Sequence, residues 1–113
     1  MHFHTILIER IRNHIQGDIF ANRFKLADGV SVGQLANNVY PNVLQQLEAQ
    51  GGRCFYSGIG LTHNKSWRQL SIERLNNKLP HFTHDGKVTN CVIICRLFNA
   101  ARQLSRPFQY LIT

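Results

Sequence analysis

The chain has 113 residues, of which 43% are hydrophobic and 17% charged. This size and composition suit one folded domain and exclude both two independent cores and a disordered chain. The chain contains no apolar run of about 18 residues, the length that a transmembrane helix needs. Met1-His2-Phe3-His4 also lacks the basic start of a signal peptide. We therefore expect an intracellular protein, in the cytoplasm or nucleus, without membrane contact.

The first predicted element is a helix over residues 3–16. Apolar residues recur there at helical spacing, among them Ile6, Ile11 and Ile15, and Gly17 is a plausible end. The apolar stripe has two interpretations. It either packs into the core of its own chain or provides contacts for a homodimer or for DNA.

Two more helices are predicted before residue 52. Ser31 suits the N-cap of a short helix to about Asn38. Pro41 suits the first turn of another helix, which runs to about residue 50 and which Gly51-Gly52 ends. Residues 1–50 are thus predicted to be mainly helical, although residues 19–29 show no clear period.

The second half has a different pattern. Residues 70–75 alternate in polarity and predict a short strand, and residues 88–95 form a β-branched apolar run that predicts a second strand. Residues 98–104 favour a helix that ends before Pro107. We therefore predict a single domain over 1–113 of the α+β class, with a strand, strand and helix unit in residues 51–113.

All the excess positive charge lies in this second half. Residues 1–50 contain four Lys or Arg and four Asp or Glu, whereas residues 51–113 contain nine and two. One-sided basicity is typical of proteins that bind a polyanion, although a merely solvated basic surface is the alternative. The candidate nucleic-acid-binding residues are Arg53, Lys65, Arg68, Arg74, Lys78, Lys87, Arg96 and Arg102.

Four segments of this basic half occur in a familiar order. They are Gly51-Gly52-Arg53-Cys54-Phe55-Tyr56-Ser57-Gly58, Leu70-Ser71-Ile72-Glu73-Arg74, Asn90-Cys91-Val92-Ile93-Ile94-Cys95 and Phe98-Asn99. Together, over residues 51–104, they resemble the HNH, or ββα-metal, endonucleases: an opening knuckle, a first strand, a middle Asn before a second strand, and a closing Asn at the start of a helix. Each segment alone is common in proteins, and the order is what carries the resemblance.

The resemblance implies a site for Mg²⁺, or another divalent cation such as Mn²⁺, with Glu73 and Asn99 as ligands. Carboxylate and amide oxygens suit such a cation, which stabilises charge during phosphodiester cleavage. Asn90 would fasten the loop that positions the catalytic strand. In the plainer alternative, Glu73 is a surface carboxylate paired with Arg74 or Lys78, Asn99 is satisfied by its own helix, and Asn90 is an ordinary turn residue.

The chain departs from the family at the general base. Members of the family usually have His directly after the acidic ligand, and this chain has Arg74, which keeps its proton at any relevant pH. Arg74 can instead bind phosphate or stabilise the transition state. Some members with Arg at this place use a tyrosine base from outside the motif. We take His63 or Tyr56 as the base here, with His81, His84 and Tyr40 as further candidates.

The second departure concerns zinc. Members with a structural zinc present two CxxC pairs, which here read Cys54 with Ser57 and Cys95 with Phe98. Two thiolates do not complete a tetrahedral zinc site. We expect reduced, buried cysteines, with Cys54 and Cys95 packed together without zinc and Phe55, Tyr56 and Phe98 as hydrophobic support.

These observations predict a metal-dependent DNA endonuclease of a homing, restriction or junction-resolving type. A homodimer is expected because one such site cuts one strand. The alternatives are a nucleic-acid-binding module that has lost catalysis, and a basic interaction protein of another kind.

Overall fold

The structure is a computed structural model that describes residues 3–62 and 68–96. This part of the chain contains two helices, α1 (Phe3–Phe20) and α2 (Val32–Ala49), followed by two strands, β1 (Leu70–Arg74) and β2 (Cys91–Cys95). The fold is therefore of the α+β class. The helix predicted at 98–104, with Asn99, lies outside the described residues. Within the described ranges, no helix has the length and hydropathy to cross a membrane.

Helix α1 is longer than predicted and continues through Gly17 to Phe20. Its buried positions, Leu7, Ile11, Ile15 and Asp18, follow helical spacing past the glycine. The cost of one glycine in a helix, about 1 kcal/mol, is smaller than what this packing contributes. Ile11 and Ile15 are buried in the core of their own chain, so at these two positions the stripe serves the fold.

Helix α2 replaces the two helices predicted over 31–50, a prediction that was wrong. Ser31 caps it, because the Ser31 hydroxyl accepts from the Gln34 backbone N–H at 3.1 Å and the Gln34 side chain accepts from the Ser31 N–H at 2.8 Å. Pro41 lies inside the helix. An interior proline costs about 3 kcal/mol, but the buried face of Leu35, Val39 and Val43 continues on both sides of it. Packing against α1 outweighs that cost.

The end of α2 agrees with the prediction. The helix stops at Ala49, and Gly51 and Gly52 follow with φ of 66° and 70°. These left-handed conformations favour glycine and reverse the chain toward the second half.

The strands β1 and β2 form an antiparallel hairpin in which Leu70 pairs with Cys95 and Arg74 pairs with Cys91. The second strand begins at Cys91, three residues later than predicted, and the side chain of Asn90, directly before it, bonds the connecting loop. Ile72 and Ile93 of one face belong to the core that contains the helices, whereas Val92 and Ile94 pack with Cys54 in a second, smaller cluster. The helices therefore cover one face of the hairpin.

Candidate functional site

Glu73 and Arg74 are the last two residues of β1, at the end of the hairpin where the loop to β2 begins. Side chains alternate between the two faces of a strand. Arg74 therefore points to the same face as Ile72, toward the helices, and Glu73 to the opposite face with Val92. A phosphate that contacts both side chains must lie over the end of the strand.

Asn90 holds the loop between the strands. Its amide oxygen accepts from the Asn76 backbone N–H at 2.9 Å, and its amide nitrogen donates to the carbonyls of Asn76 at 3.1 Å and Pro80 at 2.9 Å. The Asn90 carbonyl also accepts from the Leu75 N–H at 2.8 Å. One side chain thus fastens both ends of the 75–80 loop to the start of β2. Its part in catalysis stays a prediction.

Arg74 lies on the other side of the same loop. Its guanidinium donates to the Asn77 carbonyl at 3.1 Å and lies 3.8 Å from the Asp18 carboxylate. The side chain is only 18% exposed. Arg74 therefore joins the loop to helix α1, and its contact with phosphate stays a prediction.

Asp18 is the centre of a buried polar cluster that consists of Asp18, Arg23, Arg74 and His81. Its side chain is 2% exposed and accepts from the His81 backbone N–H at 2.7 Å and from Arg23 Nε at 3.0 Å. His81 Nδ1 lies 2.8 Å from the same carboxylate. Burial opposes ionisation, but the hydrogen bonds from His81 and Arg23 outweigh it and hold the pKa of Asp18 below its ordinary value.

A second imidazole, that of His14, adjoins the His81 ring of this cluster, and the surroundings lower the pKa of both rings. The rings of His14 and His81 lie 4.2 Å apart. Burial, with a contribution from His81, lowers the pKa of His14 to about 4. Burial also lowers the pKa of His81, although Asp18 opposes the change.

Cys91, at the start of β2, contacts the cluster through a hydrogen bond. Its thiol donates to the His81 carbonyl at 2.9 Å. Burial raises the pKa of Cys91 to about 12. The thiol therefore stays protonated, as its role of donor requires, and is not a nucleophile near neutral pH.

Sequence reasoning missed Asp18, Arg23 and His14. One signal was available, since Asp18 follows Ile15 by three residues and thus continues the apolar stripe of α1. A carboxylate in a stripe of buried positions indicates a buried, paired charge. Its partners come from distant parts of the chain and have no local signal.

The other predicted bases are placed differently. His84 Nε2 lies 2.7 Å from the Lys25 carbonyl, and its ring stacks on Phe24. A carbonyl only accepts, so this nitrogen carries the proton and does not act as a base in that arrangement. Tyr40 stacks with His4 at 4.3 Å. His63 lies outside the described residues.

The knuckle, residues 53–60, lies against β2. The three cysteines are free and buried, as predicted, and the Cys95 backbone N–H donates to Cys54 Sγ at 3.4 Å. Phe55 and Tyr56 are 53% and 41% exposed and contact each other edge to face. The prediction that these two rings support the core was therefore wrong, because their turn projects them outward. Phe98 lies outside the described residues.

Absence of structural zinc stays a prediction. Purified protein is expected to contain far less than one zinc per chain by elemental analysis, because Cys54 and Cys95 supply only two thiolates and Cys91 is held as a thiol donor. About one zinc per chain would contradict this and would require ligands other than these three cysteines.

All but one of the described candidate DNA-binding residues fall at the two ends of the hairpin. Arg74 and Lys78 lie at the loop end. At the other end, Arg53 and Arg68 donate to the carbonyls of Gly58 and Gly60, at 3.1 and 2.9 Å, and Arg96 follows β2. Lys87 lies apart, 3.7 Å from Asp85. Lys65 and Arg102 lie outside the described residues.

The carboxylate of Glu73 is a donor group that hard divalent cations prefer, and the residue is half-buried at the end of β1. The second predicted ligand, Asn99, is not among the described residues. Within the part of the chain that the structure describes, no three His, Cys, Asp or Glu side chains are grouped as a metal site. Comparisons with protein-family models, with curated proteins and with solved structures found no match.

Proposed function

We propose that the protein is an intracellular, metal-dependent DNA endonuclease that cleaves phosphodiester bonds at an HNH-like site in its hairpin. The observation that supports this most is the position of Asn90 and the contacts of its side chain. Asn90 precedes the second strand of an antiparallel hairpin and clamps the connecting loop with its side chain, beside the Glu73-Arg74 end of the first strand.

Each residue has a task in this proposal. Glu73 and Asn99 hold a divalent cation, which, when bound, stabilises negative charge on the phosphate and the leaving oxygen. Arg74 donates hydrogen bonds to a nonbridging phosphate oxygen while the loop keeps its guanidinium in place. Asn90 keeps the loop, and therefore the end of β1, in one conformation.

DNA binding in this proposal uses the basic residues at both ends of the hairpin. Five paired residues separate these ends, a distance of roughly 13 Å along a strand. A homodimer would bring two such sites to the two strands of a duplex. The homing, restriction and junction-resolving types all fall within this proposal.

A nucleic-acid-binding module without catalysis is the second candidate. It is favoured by Arg74, whose guanidinium already contacts the Asn77 carbonyl and Asp18 and so resembles a structural arginine. DNA binding alone therefore does not establish an enzyme.

An assay in which labelled duplex and single-stranded DNA are incubated with the protein and Mg²⁺, with cleavage and binding both measured, tests both candidates. We expect cleaved products on a denaturing gel, and binding whose logarithm falls with log salt with a slope of about −3 or steeper, as four phosphate contacts would require. Binding without products in Mg²⁺ or Mn²⁺ would favour the second candidate. Salt-independent or absent binding would contradict both.

A further inference from the structure

The Asp18 and His81 pair has the arrangement of an oriented base. An ionised carboxylate only accepts hydrogen bonds, so the 2.8 Å contact between Asp18 Oδ2 and His81 Nδ1 requires the proton to be on Nδ1. In the neutral imidazole, Nε2 then carries the lone pair. Asp18 thus selects the tautomer that presents a base, because it fixes the proton on the other nitrogen.

The neutral imidazole is maintained by its surroundings. The charged and titratable groups that face it are His14 and Asp18 from α1, Arg23 after α1, Arg74 from β1 and Cys91 from β2. Burial and the two arginines disfavour a second proton, and only Asp18 favours it. These surroundings therefore favour the neutral form of His81.

The pair also adjoins the candidate phosphate site. One Asp18 oxygen contacts His81, and the other lies 3.8 Å from the Arg74 guanidinium. The imidazole and the guanidinium therefore flank the same carboxylate. His81 is 8% exposed, and its hydrogen bonds among the described residues use its backbone and Nδ1 but not Nε2, although a buried polar atom usually has a partner.

We propose that His81, oriented by Asp18, is the general base that activates water for attack on a DNA phosphate held beside Arg74. This inference rests on the proposed endonuclease function and names the base that Arg74 does not provide. His81 then replaces His63 and Tyr56 in that role.

His81 Nε2 takes one proton from water as the water oxygen forms a bond to phosphorus. A P–O bond of the DNA backbone breaks, its electron pair stays on the departing sugar oxygen, and solvent protonates that oxygen. His81 then returns its proton to solvent. Asp18 stays ionised and stabilises the transient imidazolium, so it is a positioning residue.

His81→Asn separates the base from the structural contact. The asparagine amide nitrogen occupies roughly the place of Nδ1, so it can still donate to Asp18, and the His81 backbone bond to Asp18 is kept. Nothing remains at the place of Nε2. We expect nicking of supercoiled plasmid in Mg²⁺ to fall by about 10²-fold or more, with DNA affinity unchanged. His84→Asn is the matched control and should nick like the wild type.

The pH profile of the wild type gives a second readout, which does not depend on any variant. The cleavage rate should rise tenfold per pH unit on the acid side and level off with a midpoint below pH 6.5, because burial lowers the pKa of His81. An unchanged rate in a folded His81→Asn protein would overturn the inference and leave the proposed function standing. Should that variant fail to fold, a wild-type cleavage rate that does not rise with pH on the acid side would overturn the inference. A wild type that does not nick would overturn both.

Discussion

Glu73→Ala and Asn99→Ala are each expected to abolish Mg²⁺-dependent cleavage while the protein remains folded. Each removes one of the two oxygen ligands that the proposal gives to the cation, and the remaining ligand, with water, does not hold it in place. The loss should exceed 10³-fold, since stabilisation of charge on the phosphate is a large part of catalysis at such a site. Plasmid nicking at equal protein and Mg²⁺ concentrations measures it.

Glu9→Ala is the control for Glu73→Ala. Glu9 is an exposed glutamate on α1, outside the hairpin in sequence, so its removal changes the net charge by the same amount as Glu73→Ala and removes no proposed ligand. Retained nicking by either ligand variant would rule out that ligand. Equal loss in Glu9→Ala would instead mean that the loss in Glu73→Ala does not come from removal of a metal ligand.

Asp18→Asn is expected to destabilise the protein by about 3–5 kcal/mol, the range found when one partner of a buried charged cluster is removed. The substitution leaves Arg23 and Arg74 without their carboxylate and replaces an acceptor of three hydrogen bonds by an amide. It also loosens three segments at once, because α1, the end of β1 and the loop at His81 meet at this side chain. Urea denaturation followed by circular dichroism measures the change.

Asp28→Asn makes the same chemical change on an exposed loop residue and should alter the free energy of unfolding by less than about 0.5 kcal/mol. A loss below about 1 kcal/mol in Asp18→Asn would mean that the cluster contributes little to the fold. The position of Arg74 would then need another explanation.

Sequence patterns predicted the two strands and both ends of α2 because these have local causes. Residues 70–74 alternate in burial, apart from the last, and residues 91–95 are fully buried, so their polarity pattern follows from the environment of each strand. Ser31 and Gly51-Gly52 have intrinsic preferences for the ends of a helix. Such elements are readable from one sequence.

Local sequence preferences did not predict the conformation at Pro41 or the partners of Asp18. Proline has a strong local preference, but the packing of Leu35, Val39 and Val43 against α1 decides the conformation at Pro41. The partners of Asp18 are as many as 63 residues away, and no local pattern pairs them. Tertiary contacts, not propensities, therefore build the polar cluster beside the candidate site.

The candidate site itself was predictable in part. Glu73, Arg74 and Asn90 stand at the loop end of the hairpin because their positions follow from the two strands. Their roles at a site stay predictions. The orientation of Arg74 toward α1 does not follow from sequence, since it depends on Asp18. The place of Asn99 lies outside the described residues and stays a prediction.

The measurement that tests the endonuclease proposal most directly is a time course of supercoiled plasmid with wild-type protein at low salt, in Mg²⁺ and in excess EDTA. We expect nicked circles to accumulate in Mg²⁺ and to stop forming once EDTA is added, with linear molecules following as second strands are cut. Plasmid that stays supercoiled in both Mg²⁺ and Mn²⁺, with protein shown to be folded and bound to it, would contradict the proposal and leave a DNA-binding module.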